Sequence, residues 1–327
     1  MTLDIIITHY KEPWELGYEA FEMIRMQRCI DFNKIHVYVV QDGEDGALPK
    51  EKFEGYPYEI TVLNMPHGGV SAARNYGMDA GMGTWVLFHD FDDAFASTYA
   101  LFHVFEKMND DHYNLIGCEW IGEQKYGDTG AMWLRPGDGN DFAFIHGKFL
   151  RRSWLYQNNI RFNPELTIHE DAYFMCLVRL LMPEDQVCIL HGLQYSTHYN
   201  SDSVTRSNMN EFFRETYEHF FKKADALIHE LVARGEIKYA VIIAGQTICD
   251  TYLNMARRSW EGHDLSKIYA DTKAFAKRNT ALIDSFTPQN YIDGLNAARV
   301  SVNNNNDMGF ESVTFKDWLR DIRSDDD

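Results

Sequence analysis

Gly68-Gly69-Val70-Ser71-Ala72-Ala73-Arg74-Asn75-Tyr76-Gly77 leads, within a few residues, into Thr84-Trp85-Val86-Leu87-Phe88-His89-Asp90-Phe91-Asp92-Asp93. The paired glycines break the chain, Ser71 stands where a side chain caps a helix, and residues 71–80 carry a helical pattern. Residues 84–89 then read as a buried strand that runs out into three carboxylates. Ends of strands in open α/β sheets are where ligands bind. If the chain stays extended, Asp90 and Asp92 project to the same side and repel each other unless a cation or hydroxyl groups lie between them. Mg2+ or Mn2+ bridging to a diphosphate meets that demand, since hard cations prefer carboxylate and phosphate oxygens. The same three acids also suit a helix start, with Asp93 as its cap.

Outward from this stretch the first half alternates short apolar runs with helical patterns, which predicts an α/β sheet with helices on its faces. Residues 3–8 are the first strand, residues 14–29 a helix after Pro13, and residues 34–41 a second strand ending at the turn Asp42-Gly43. Residues 59–63 form another strand ahead of Gly68. Residues 110–141 mix strands with Gly-rich loops. From about residue 210 the pattern turns helical, with helices expected over 211–233, 238–257 and 265–277, a polar loop at 303–307 and a fraying acidic tail. The expected division is therefore residues 1–209, an α/β domain, and residues 210–327, a helical C-terminal domain.

The composition narrows the function. A formal charge of −18 over 327 residues disfavours tight binding to bulk nucleic acid, and an anionic ligand needs a metal or a local cationic site. Cysteines 29, 118, 176, 188 and 249 are scattered and unpaired by spacing, which predicts reduced thiols and a cytoplasmic location rather than a disulfide framework or a zinc knuckle. Neither a signal peptide nor a transmembrane segment is expected.

The quoted stretch resembles the G-V-S-x-A-R-N-x-G signature, hydrophobic strand and Asp-x-Asp-Asp of family 2 glycosyltransferases. Four further segments match in the family's order. Residues 4–10, ending Thr8-His9-Tyr10, resemble the first strand, whose end cradles the nucleotide base. Val39-Val40-Gln41-Asp42-Gly43 resembles the second, whose terminal Asp bonds the uracil, although Gln41 stands where the family often has a further acid. Residues 145–152, 161–164 and His169-Glu170-Asp171 resemble the acceptor-side stretch that ends in the family's Glu-Asp pair. Residues 195–207, containing Ser203-Val204-Thr205-Arg206, resemble a loop that can fold over the donor.

The resemblance covers residues 3–208 and implies the GT-A fold, a Rossmann-like nucleotide-binding sheet with helices on both faces. It implies an inverting, metal-dependent glycosyltransferase of the hexosyltransferase type that uses a nucleotide-sugar donor, UDP-sugar before others, with Mn2+ or Mg2+. By carry-over, Thr8, His9, Tyr10 and Asp42 hold the nucleotide, and Asp90 holds the ribose or the metal. Asp92 holds the metal, with His198 as a possible third ligand. Arg74 and Arg206 meet phosphate, Arg74 alternatively locking the acidic loop. Asp171 removes the acceptor hydroxyl's proton, and Glu170 holds the acceptor or supports the loop. Read on residues alone, Asp42 is equally a turn residue and Glu170-Asp171 an acidic helix start. Two rival functions stand beside this one: a nucleotidyltransferase, whose Gly- and Lys-rich phosphate loop is missing, and a non-catalytic scaffold on a transferase-like domain. The acceptor is open among glycan, lipid-linked sugar, protein and modified nucleic acid, and the C-terminal helices are candidates for homo-oligomer contacts.

Overall fold

The computed structural model describes the chain apart from residues 127–130, 142, 198–208, 305–306, 310 and 325–327. It divides into two compact units, Met1–Asp202 and Ser203–Asp327.

In the first unit, strands β1 (Leu3–His9), β2 (Ile35–Asp42), β3 (Glu59–Met65) and β4 (Trp85–Asp90) form a parallel array in the order β3-β2-β1-β4. Helix α1 (Trp14–Arg25) connects β1 to β2, and α2 (Val70–Ala80) connects β3 to β4. Leu3, Ile5, Ile6 and Ile7 are all fully buried, as expected of a parallel strand covered on both faces. Leu3, Ile5 and Ile7 pack in one core with Ala20, Phe21 and Ile24 of α1. Ile6, pointing the other way, meets α2, so the two helices cover opposite faces. The contact with α2 is close: a Cβ on Gly77 would lie 2.5 Å from Ile6 and 2.9 Å from Val40. The glycine that ends the G-V-S-x-A-R-N-x-G string is thus where the helix rests on the sheet.

The chain continues through β5 (Asp93–Phe95), α3 (Ala100–Met108), β6 (Leu115–Tyr126), β7 (Ala131–Gly137), β8 (Lys148–Arg151), α4 (Arg152–Gln157), α5 (Glu170–Leu181) and β9 (Val187–Thr197). These strands extend the sheet beyond β4 in the order β8-β6-β9-β5, with β7 paired on β6. At the amino end of the parallel array, Asp4 accepts from Gly83 N at 2.6 Å and pairs with Arg152 at 2.5 Å. At the opposite end, Thr8 lies opposite both Val40 and Asp90, and His9 opposite Gln41. That register sets the carboxyl ends of β1, β2 and β4 in line.

Two local expectations are corrected. Ser71 does not cap α2: Gly69 is its N-cap, with φ +85°, and the Ser71 hydroxyl turns to the Leu166 carbonyl at 3.4 Å. Asp90 and Asp92 do not share one extended strand either, because β4 stops at Asp90 and a turn intervenes before β5 takes Asp93 into the sheet, where it is buried rather than capping a helix.

The second unit is helical: α6 (Met209–Glu215), α7 (Glu218–Ala233), α8 (Ile237–Met255), α9 (Ser266–Arg278), α10 (Thr280–Asp284), α11 (Pro288–Asn304) and α12 (Phe315–Ile322). The helix expected over 211–233 is interrupted at Thr216, whose hydroxyl bonds back to the Phe212 carbonyl at 2.7 Å, a contact that bends helices. The polar run expected as a loop at 303–307 begins inside α11. Asp307 is buried there, accepting from the Ser259 backbone at 2.8 Å and the Ser259 hydroxyl at 2.7 Å and pairing with Arg257 at 3.1 Å.

Candidate active site

Arg74 is the centre of the site. Lying in the second turn of α2, it is buried, and its guanidinium reaches Asp90 at 2.8 Å, Glu170 at 3.2 Å and Asp171 at 2.5 Å. Asp90 comes from the end of β4, while Glu170 and Asp171 open α5, whose N-cap His169 sits at φ +65°. The acids are drawn to one cation from 16, 96 and 97 residues away in sequence. Of the two roles proposed for Arg74 from sequence, a phosphate contact and a lock on the acidic loop, these contacts are of the second kind. Phe162 supports the guanidinium by lying 5.1 Å beneath it.

One guanidinium among three carboxylates leaves the balance negative, and Asp90 and Asp171 respond differently. Burial disfavours charge on Asp90, but the Arg74 charge and hydrogen bond outweigh it and hold that carboxyl below its usual range. Burial dominates at Asp171. Arg74 opposes it, the charges of Glu170 and Asp90 add to it, and the carboxyl is pushed up to about 7. Burial also works against the Arg74 cation, and its three acids more than offset that. The raised Asp171 costs stability as pH climbs from the ordinary aspartate value of about 4 towards 7, opposite in sign to a carboxylate whose pKa is depressed.

Asp42, at the end of β2, is buried and accepts from Gly68 N at 2.7 Å, Gly69 N at 2.9 Å and His67 Nδ1 at 2.9 Å. It therefore fixes the Gly-Gly turn that starts α2. His67 stacks on Tyr10, centroids 4.3 Å apart and planes 14° from parallel, so an exposed aromatic pair stands beside Asp42. His9 turns inward: its ring nitrogen meets the Glu12 carbonyl at 2.8 Å and its ring lies edge-on to Phe91 at 4.8 Å. Thr8 is the last residue of β1 paired with β4.

Asp92 is half-buried in the turn after β4. Glu12, which accepts from Tyr10 N at 2.6 Å, has its pKa raised mainly by burial and further by the charge of Asp92. The charge of Asp92 is thus felt at Glu12. Asp93 lies apart, buried and bonded by the Tyr195 hydroxyl at 3.3 Å. His198 and Arg206 fall outside the described residues. Glu12, His67, His146 and the backbone N–H of Ile145, 3.4 Å from Asp171, were not singled out by sequence as site groups. For Glu12 the available signal was an acid three residues past the end of the first strand. His146 stood within the acceptor-side stretch but carried no ligand spacing.

Among solved structures, the chain resembles S. aureus TarS 1-349 with a TM-score of 0.61 and 16% identity, over 93% of this chain and 92% of that one. It also resembles the mannosyltransferase PcManGT from Pyrobaculum calidifontis, TM-score 0.52 and 15% identity over 93% and 86%, solved with GDP-Man and Mn2+. The fold is that of the GT-A glycosyltransferases. Residues 4–180 match the family model described as Glycosyl transferase family 2, and the chain belongs to that family.

Two relatives in Bacillus subtilis (strain 168) are the minor teichoic acid biosynthesis proteins GgaB and GgaA. GgaB is 28% identical over 176 residues and GgaA 29% over 187, covering 49% and 52% of this chain. The matches cover only 19% and 41% of those proteins' own lengths. Among the described residues, no helix is long and apolar enough to cross a membrane.

Proposed function

We propose that the protein transfers a sugar from a UDP-sugar to a hydroxyl acceptor with inversion, Asp171 acting as the base. The observation that carries this reading is the Arg74 cluster. It sets a carboxyl whose pKa is about 7 beside a second acid at the ends of the parallel strands. A base poised near working pH both exists as carboxylate and holds a proton well once taken. Glu170, on the same guanidinium, supports the loop or the acceptor. The donor class is supported by TarS, which has been crystallised with UDP and with UDP-GlcNAc.

In this reading uracil rests against the Tyr10–His67 pair. Each carboxylate oxygen can take two hydrogen bonds, so Asp42 Oδ1, which holds one, has an acceptor position for the base's N–H. Thr8 borders the phosphates, and His9 keeps the turn that presents Tyr10. Asp90, more than a third exposed, and Asp92 would hold Mn2+ or Mg2+. Burial is the main cause of the raised Glu12 pKa and the charge of Asp92 adds to it, and that added charge is what such a cation would offset. PcManGT was solved with Mn2+. When bound, the cation supplies neutralisation of the departing nucleoside diphosphate. His198 as a third ligand and Arg206 as a diphosphate contact complete the assignment. Residues 1–209 act as the transferase domain and residues 210–327 as a helical domain open to a homo-oligomer contact. The cysteines are free among the described residues, which supports a cytoplasmic setting.

The test is release of UDP from a panel of UDP-sugars with Mn2+. Excess EDTA is expected to lower the rate at least 100-fold, with recovery on adding Mn2+. Turnover unchanged in EDTA would remove the cation from the account. The pH profile follows from Asp171: kcat/KM should climb about tenfold per pH unit below about 7 and level off above it, because only the ionised carboxyl accepts the proton. A rate flat from pH 5 to 8 would mean that this group's ionisation is not limiting.

A further inference from the structure

We infer that Phe144 is the open end of an aromatic stack beside Asp171 and takes the apolar face of a pyranose ring, so that the acceptor is a cyclic sugar rather than an open-chain alditol phosphate. The inference rests on Asp171 being the base. The Ile145 backbone N–H lies 3.4 Å from Asp171 Oδ2, which places the two residues flanking Ile145 next to the reacting hydroxyl. Those residues are Phe144 and His146, and their rings stack, centroids 5.0 Å apart and planes 21° from parallel.

The stack continues inward. His146 lies on Tyr195 at 5.9 Å and 10°, and Trp120 closes one side edge-on, 4.5 Å from His146 and 5.8 Å from Phe144. Its inner end is anchored, for Tyr195 is fully buried and bonded to Asp93. The middle is held as well: Lys148, fully buried in β8, donates to the His146 carbonyl at 3.4 Å. Exposure rises outward from 0% at Tyr195 to 8% at His146 and 37% at Phe144. The column is therefore fixed at its base, and its uncovered ring belongs to the residue that precedes Ile145, whose N–H meets the base carboxylate.

A ring in that position matches a particular surface. The face of a pyranose presents axial C–H groups, which pack against the electron-rich face of an aromatic ring, while its hydroxyls stay at the edge to hydrogen-bond. An open-chain polyol has no such face. Charge points the same way, because an acceptor carrying phosphate would approach three carboxylates that share one guanidinium.

Saturation-transfer NMR on the full chain tests this, with the methyl pyranosides of glucose, galactose and N-acetylglucosamine as probes and ribitol 5-phosphate and glycerol 3-phosphate as comparators. At least one pyranoside should receive saturation at its ring protons. Its Kd should rise about tenfold in Phe144→Ala and return to within about threefold of the starting value in Phe144→Trp, which restores a ring. Absence of pyranoside binding, a Kd unmoved by Phe144→Ala, or binding of the alditol phosphates alone would overturn the proposal. UDP release from UDP-sugars, measured in parallel, keeps the two readings separate. Phe144-dependent pyranoside binding without UDP release would sink the donor assignment and leave the stack. UDP release with Phe144-independent binding would do the reverse.

Discussion

Asp171→Asn is expected to lower sugar transfer about 1,000-fold while donor affinity stays within about threefold. Asn matches Asp in shape, and its carbonyl oxygen can still accept from Arg74 or from the Ile145 backbone N–H, so the loop that opens α5 should keep its position. What it cannot do is take a proton. The loss should therefore fall on kcat rather than on donor binding, since in the proposed mechanism Asp171 meets the acceptor hydroxyl and not the nucleotide. Calorimetry of UDP-sugar binding, with mass spectrometry of the product, separates the two quantities. Transfer by the variant at the native rate would remove Asp171 as the base.

Arg74→Met should be the more damaging change, because it affects fold and chemistry together. The methionine fills much of the arginine stem's space but leaves Asp90, Glu170 and Asp171 facing one another without a cation. Breaking a buried ion pair from one side costs about 3–5 kcal/mol, and the lower end applies because Asp90 is part-exposed and solvent screens it. For a unit of this size that corresponds to a fall in melting temperature of roughly 6–12 °C. The direction with pH is a second signature. Without the guanidinium the acids' pKa values in the fold rise above their unfolded values, so stability is regained as pH falls and lost as it rises. A variant that melts at the native temperature across pH 5–8, or one whose deficit deepens on acidification, would show that Arg74 does not neutralise the cluster.

The parallel half of the sheet was legible because its strands are buried on both faces and so read as unbroken apolar runs: residues 5–7 and 85–88 need no partner to be recognised. The Gly-rich start of α2 and the acids closing β4 were equally plain. The local geometry of those acids was not. Whether Asp92 follows Asp90 along a strand or round a turn depends on how β5 pairs with β9, which joins Asp93 to Thr197 across the sheet. Ser71 failed as a cap because Asp42, from a different strand, binds the N–H groups of Gly68 and Gly69 and sets the helix start one residue earlier. The proton affinity of Asp171 is a product of burial and of charges brought from β4 and α2, so no inspection of residues 169–171 could have yielded it.

The stereochemistry of the first product bears most directly on in-line attack assisted by Asp171. With UDP-α-GlcNAc as donor, Mn2+ present and the product read by proton NMR before any anomeric equilibration, the account predicts a β-configured sugar with a large coupling between its first two ring protons. An α-configured first product would contradict it, since retention requires attack from the face that this arrangement leaves to the departing diphosphate.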